Sequence, residues 1–160
     1  MTDLRGAIEA LADAGVRFIV VGGIAGIAHG SARVTFDIDL VYGRDPQNLE
    51  RLAATLAPHR PTLRGAPAGL PFRLDTATLG AGLNFTLDSS LGPIDLLGEI
   101  AGGGTYEQLL PRTVELQVFG RTCRVVTLDA LIALKRAAGR PKDLEAIAEL
   151  EALRAERRGG

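Results

Sequence analysis

The chain has 160 residues, 46% hydrophobic, 23% charged and only 4% aromatic, a length suited to one domain that buries its core without metals or disulfides. Lysine and arginine total 18 against 19 acids, a net charge of -1, which argues against a globally basic nucleic-acid-binding module, and the single Cys123 excludes an internal disulfide and a cysteine-based zinc site. No apolar run reaches the ~20 residues of a membrane span, and Met1 to Ala14 lacks the basic start of a secretory signal, so a cytoplasmic protein without a membrane segment is expected.

Thr2 or Asp3 caps a first helix whose Leu4, Ile8 and Leu11 share a face, and Gly15 ends it. Val16 to Val21 is a nearly continuous apolar run, as in a strand buried on both faces. Gly22-Gly23 follows, then a short helix from Ile24 to His29 closed by Gly30. Asp37 to Tyr42 reads as a second strand, with apolar, strand-like flanks on both sides of the acids, Val34-Thr35-Phe36 among them. Asp45-Pro46 caps and opens a helix carrying Leu49, Leu52, Ala53 and Leu56 inward. Pro58 to Pro71, with four prolines and two glycines, is expected to be a long loop or flap. Strands are expected at Leu83 to Leu87 and Pro93 to Leu97, a helix at Tyr106 to Leu110, and a hairpin-like pair at Val114 to Phe119 and Thr122 to Val126. Thr127 or Asp129 starts a helix that runs to Ala138 and stops at Gly139. Pro141 starts the last helix, with Leu144, Ile147 and Leu150 inward.

The fold class expected from this order is α/β (α+β), a mixed β-sheet covered by helices. One domain over 1–160 is expected, with a core at about 16–126 and C-terminal helices at about 127–158.

Four groups of residues can carry chemistry. Gly22-Gly23, between a buried strand and a helix, either cradles a phosphate or simply makes a tight turn; Walker and dinucleotide glycine spacings are absent. Asp37 and Asp39, two apart on a strand, share a face about 7 Å apart. Strands are poor in acids, and paired carboxylates there want a cation, for which oxygen ligands favour Mg2+; a solvated face is the plain alternative. Asp95 interrupts another apolar strand and needs a metal, an arginine or an edge. Finally, Lys135, Arg136, Arg140 and Lys142 surround a helix end. They include both lysines of a chain that otherwise uses arginine, although helix C-termini attract cations in any case.

The order Val21-Gly22-Gly23, a gap of 13 residues, Asp37-Ile38-Asp39 and a later Asp95 resembles the nucleotidyltransferase superfamily that includes DNA polymerase β. The stretch Gly30 to Asp39 and the tail Lys135 to Asp143 look like its abortive-infection (AbiEii-like) and minimal branches. That pattern carries a further Asp three residues after Asp143, where this chain has Ala146. The resemblance implies the nucleotidyltransferase fold and Mg2+-dependent transfer of NMP from an NTP to an acceptor hydroxyl, with release of pyrophosphate. It implies Asp37, Asp39 and Asp95 as catalytic metal ligands. Gly22, Gly23, Ser31, Arg33, Lys135, Arg140 and Lys142 are the implied nucleotide-binding residues.

The acceptor is left open among RNA, protein and small molecule, with a toxin–antitoxin or antibiotic-modifying role implied. A homodimer or a cognate partner protein is the implied assembly. The rival readings are a catalytically silent, antitoxin-like nucleotide-binding partner and a plain structural domain whose acids form ion pairs. His29 reads as a helix-end residue and Cys123 as a small core residue.

Overall fold

A computed structural model describes residues 2–67 and 69–159, so Met1, Ala68 of the expected loop and Gly160 lie outside it. The chain runs α1 (Leu4–Asp13), β1 (Phe18–Val20), α2 (Gly22–Ala28), β2 (Ile38–Tyr42) and α3 (Pro46–Leu56). Next come β3 (Thr62–Leu63), α4 (Thr76–Ala81), β4 (Asn84–Asp88), β5 (Ile94–Leu97), β6 (Glu99–Ile100) and β7 (Gly104–Thr105). It closes with α5 (Tyr106–Leu109), β8 (Thr113–Val118), β9 (Arg121–Val126), α6 (Leu128–Ala138) and α7 (Pro141–Gly159).

Seven strands form one mixed sheet in the order β3-β4-β5-β2-β1-β9-β8, and β6 and β7 pair separately. The pairs β2–β5 and β1–β9 are parallel, whereas β1–β2, β4–β5 and β8–β9 are antiparallel. The central strands β1 and β2 are buried except at Asp39, which is half-buried, so their apolar composition follows from cover on both faces. Ile19, Ile38, Leu40, Leu87 and Ile94 are fully buried, each contributing about 1.5–3 kcal/mol in apolar transfer.

Local chemistry sets the element ends. Asp3, Asp45, Asp75 and Thr127 each accept a backbone N–H of the following helix, and Thr105 with Gln108 forms a capping box. Gly139 ends α6 at φ +66°, the left-handed conformation in which a Cβ is costly. The buried Asn48 fastens α3 to the strand ends: its Nδ2 donates to the carbonyls of Arg17 and Gly43, and its Oδ1 accepts the Arg17 N–H. His29 caps α2, as expected; its Nε2 lies 2.7 Å from the Val126 carbonyl and its Nδ1 3.0 Å from Arg157 of α7.

Several expectations are corrected. Val34-Thr35-Phe36 is irregular rather than strand-like, with Val34 77% and Phe36 67% exposed, because no neighbouring strand pairs with it. The Pro58 to Pro71 segment is not wholly loop: it contributes the two-residue edge strand β3. Leu144 points outward, 58% exposed, and α7 instead buries Asp143, Ala146, Ile147 and Leu150. The helix α4 and the pair β6–β7 were not expected. Among the described residues, no helix is long and apolar enough to cross a membrane.

Candidate active site

The parallel register of β2 and β5 places Asp39 directly beside Asp95. Neighbouring strands lie about 4.8 Å apart, so the two side chains share a face of the sheet. Burial, the Asp95 carboxylate and the nearby Asp37 push the Asp39 carboxyl up to about 7, with Lys142 pulling the other way. Asp37 stands just before β2, its N–H directed at the Thr35 hydroxyl 3.4 Å away.

The turn from β1 into α2 packs against this pair. Gly22 has φ +65°, and a Cβ there would overlap the Asp39 carboxylate. A Cβ on Gly23 would overlap the Thr35 side chain. Both glycines are therefore required by close approach, and α2 begins at Gly22 itself with no side-chain cap from Val21.

Arg64, just after β3, comes within 3.1 Å of Asp95 Oδ1. Its Nη2 instead aligns with the Leu87 carbonyl at 2.7 Å, leaving Asp95 Oδ1 buried without a hydrogen-bond partner. The arginine partner anticipated for a structural Asp95 thus exists as a charge neighbour, but it does not satisfy the carboxylate.

The C-terminal helices close the opposite wall. Lys135 of α6 and Lys142, Asp143 and Glu149 of α7 line the cleft together with Arg140. Asp143 is buried and takes a 2.6 Å hydrogen bond from Arg140 Nε, with Lys135 Nζ at 3.9 Å. Burial pushes its carboxyl upward, but Arg140 and Lys135 outweigh that and hold it below the usual range. Burial likewise lowers the Lys135 ammonium against the opposing pull of Asp143 and Asp39. Ser31 Oγ donates to Glu149 Oε1, and Arg33 reaches Glu145 at 3.6 Å. Among the described residues, Lys142 has no ion-pair partner.

The cleft has two lobes that share Gly22, Asp37, Asp39, Lys135, Arg140, Lys142 and Asp143 as a common wall. The polar lobe, about 280 Å3, adds Gly23, Ser31, Arg33, Thr35, Phe36 and Glu149. The apolar lobe, about 250 Å3, adds Asp95, Val21, Leu97, Ile100, Ala101, Leu131, Leu134 and Ala138. Every residue implied as a metal ligand or nucleotide contact therefore borders one lobe or both, whereas Arg136 of the cation cluster lines neither and pairs with Glu151. Arg64, Asp143 and Glu149 were not foreseen as parts of the site.

No group of three or more His, Cys, Asp or Glu side chains among the described residues forms a ready-made metal cage. Mg2+ does not require one, because water and substrate phosphate can fill most of its octahedron around a few carboxylates. An orphaned buried Asp95 oxygen and an Asp39 carboxyl raised by its neighbouring carboxylates are the marks of a cluster short of positive charge. The residues present fit a hard divalent cation.

No protein-family model matches the chain, and no curated protein matches it by sequence. The structure is similar to the solution structure of the antibiotic-resistance factor ANT(2'')-Ia, with a TM-score of 0.51 and 19% identity over 96% of this chain and 88% of that one. The likeness at this identity is one of fold alone, a mixed sheet covered by helices.

Proposed function

We propose that the protein is a nucleotidyltransferase that moves NMP from an NTP to an acceptor hydroxyl, with Mg2+ held by Asp37, Asp39 and Asp95. The observation that carries this reading is the Asp39–Asp95 cross-strand pair, set in a cleft whose other wall is cationic. A bound Mg2+ would supply Lewis-acid polarisation of the phosphoryl oxygens. The chain's own groups do the rest. Gly22 and Gly23, without side chains, let a triphosphate approach the backbone closely. Lys135, Arg140, Lys142 and Arg33 supply positive charge for the β- and γ-phosphates, and Ser31 supplies a hydroxyl donor. Val34 and Phe36 offer the base an apolar rim, Phe36 being the exposed aromatic among the described residues.

Asp95 is the base of the proposed reaction. As the acceptor oxygen bonds to the α-phosphorus, its proton passes to an Asp95 carboxylate oxygen. The bond from the α-phosphorus to the bridging oxygen breaks, and pyrophosphate leaves along the cations. The test is incubation of the purified chain with Mg2+ and α-phosphate-labelled NTPs against total RNA, a protein lysate and a panel of aminoglycosides and neutral alcohols. Label is expected on one acceptor class from the native chain, and about 10²- to 10³-fold less from Asp95→Asn. Absence of both NTP binding and label transfer by the native chain overturns the reading.

A further inference from the structure

We infer that the acceptor is a small alcohol on an uncharged, largely apolar body, seated in the apolar lobe beside Asp95. This rests on the nucleotidyl-transfer reading. The two lobes differ in what they can bind, although they share a wall. The polar lobe holds the glycines, Arg33 and Ser31, which suit a triphosphate; Asp95 does not line it. Asp95 lines the other lobe, whose remaining surface is Val21, Leu97, Ile100, Leu131, Leu134 and Ala138. A hydroxyl that is to lose its proton to Asp95 therefore arrives on a body that meets these aliphatic side chains on one side and the shared charged wall on the other.

Charge narrows the class further. A polycationic amino sugar needs carboxylates free to receive its ammonium groups. The acids that reach the apolar lobe are Asp37, Asp39, Asp95 and Asp143. Asp143 is already bound by Arg140 and faces Lys135, and the other three form the proposed cation cluster. Lys135, Arg140 and Lys142 line the same lobe and repel further positive charge. Size agrees, since about 250 Å3 lies just under the ~300 Å3 at the small end of ligand sites. The transfer balances with no further reactant: the alcohol oxygen bonds to the α-phosphorus, its proton goes to Asp95, and pyrophosphate leaves through the polar lobe.

The experiment measures binding, so it needs no knowledge of the natural acceptor. Saturation-transfer NMR on the full chain, with Mg2+ and a non-hydrolysable ATP analogue, compares 3-phenylpropan-1-ol with kanamycin. Ala101 and Ala138 are exposed at the rim of the lobe, so Ala101→Phe and Ala138→Phe should fold with unchanged Tm while filling it. The phenyl alcohol is expected to bind the native chain and kanamycin not to. Each variant should weaken the alcohol roughly tenfold or more and leave the affinity for the ATP analogue unchanged. Kanamycin binding as tightly as the alcohol overturns the inference. So does a variant that weakens the ATP analogue and spares the alcohol, because the lobe would then hold the base. Failure of the native chain to bind the ATP analogue overturns the nucleotidyl-transfer reading and this inference with it. Normal nucleotide binding with an unaltered alcohol signal in both variants overturns this inference alone.

Discussion

Ser31 Oγ donates a 2.6 Å hydrogen bond to Glu149 Oε1, tying the loop after α2 to α7 across 118 residues. The other carboxylate oxygen accepts the Ala32 N–H at 3.1 Å. A side-chain carboxylate thus occupies two donors that an incoming phosphate would use. Glu149→Ala is expected to tighten Mg2+-NTP binding by about two- to fivefold, because a competing charge-assisted acceptor is removed. Calorimetric titration with MgATP checks this, and weaker binding in the variant would mean that Glu149 supports the nucleotide instead. The Ser31 hydroxyl holds the Glu149 carboxyl below its usual range, so the link's contribution to stability is present above the unfolded value near 4.5 and fades as the pH falls through the folded one.

Asp39 behaves in the opposite sense. Its carboxyl is raised from 3.8 to about 7, so between those values the folded chain binds more protons than the unfolded one. Metal-free stability from this group is therefore greatest at low pH, declines as the pH rises from about 4 to 7, and is flat above. Asp39→Asn should remove that decline and raise the metal-free Tm at pH 8, by roughly 2–4 °C for each kcal/mol recovered. Thermal melts of both proteins across pH, in chelator, give the answer. A variant that melts lower at pH 8 would mark Asp39 as a structural ion-pair partner.

Asp37→Asn and Asp95→Asn should leave the fold intact and lower transfer about 10²- to 10³-fold each, the usual loss for one preorganised electrostatic group. The independent readout is ligand-induced stabilisation. Mg2+-NTP should raise the Tm of the native chain, and that shift should shrink in both variants. A full shift in Asp37→Asn would remove Asp37 from the cation site.

Gly22→Ala combines two penalties. The left-handed backbone at φ +65° costs a residue with a Cβ about 1–2 kcal/mol, and the added carbon displaces the Asp39 carboxylate. The variant is expected to melt lower and to lose NTP binding together. Gly43→Ala is the control: it adds a methyl 3.2 Å from Asn48 Nδ2, outside both lobes, and should keep NTP binding whatever its Tm.

The parts of this architecture that depend on near neighbours were legible in the chain. Helix caps at Asp3, Asp45 and Thr127 and the stop at Gly139 are local, and the structure has them where expected; Asp37, expected inside the strand with Asp39, instead stands one residue before it. Contacts across the fold were not legible. Arg64 meets Asp95, and Ser31 meets Glu149, only because distant segments pack together. Val34-Thr35-Phe36 has β-prone side chains without a pairing strand, and propensity alone cannot supply the partner. The helix α4 buries only Leu79, so it has no apolar period to detect.

The register that aligns Ile38, Asp39, Leu40 and Val41 with Ile94, Asp95, Leu96 and Leu97 constrains how this gene can change in length. One residue inserted into either strand turns every following side chain to the opposite face and carries an acid away from its partner. Deletions and insertions are therefore confined to segments outside this four-residue ladder. The glycine-rich turn at 101–103 lies beyond the ladder, and the 65–75 segment lies apart from it in the chain. Homologues should differ in length there, while the spacing within Ile38–Val41 and Ile94–Leu97 stays constant.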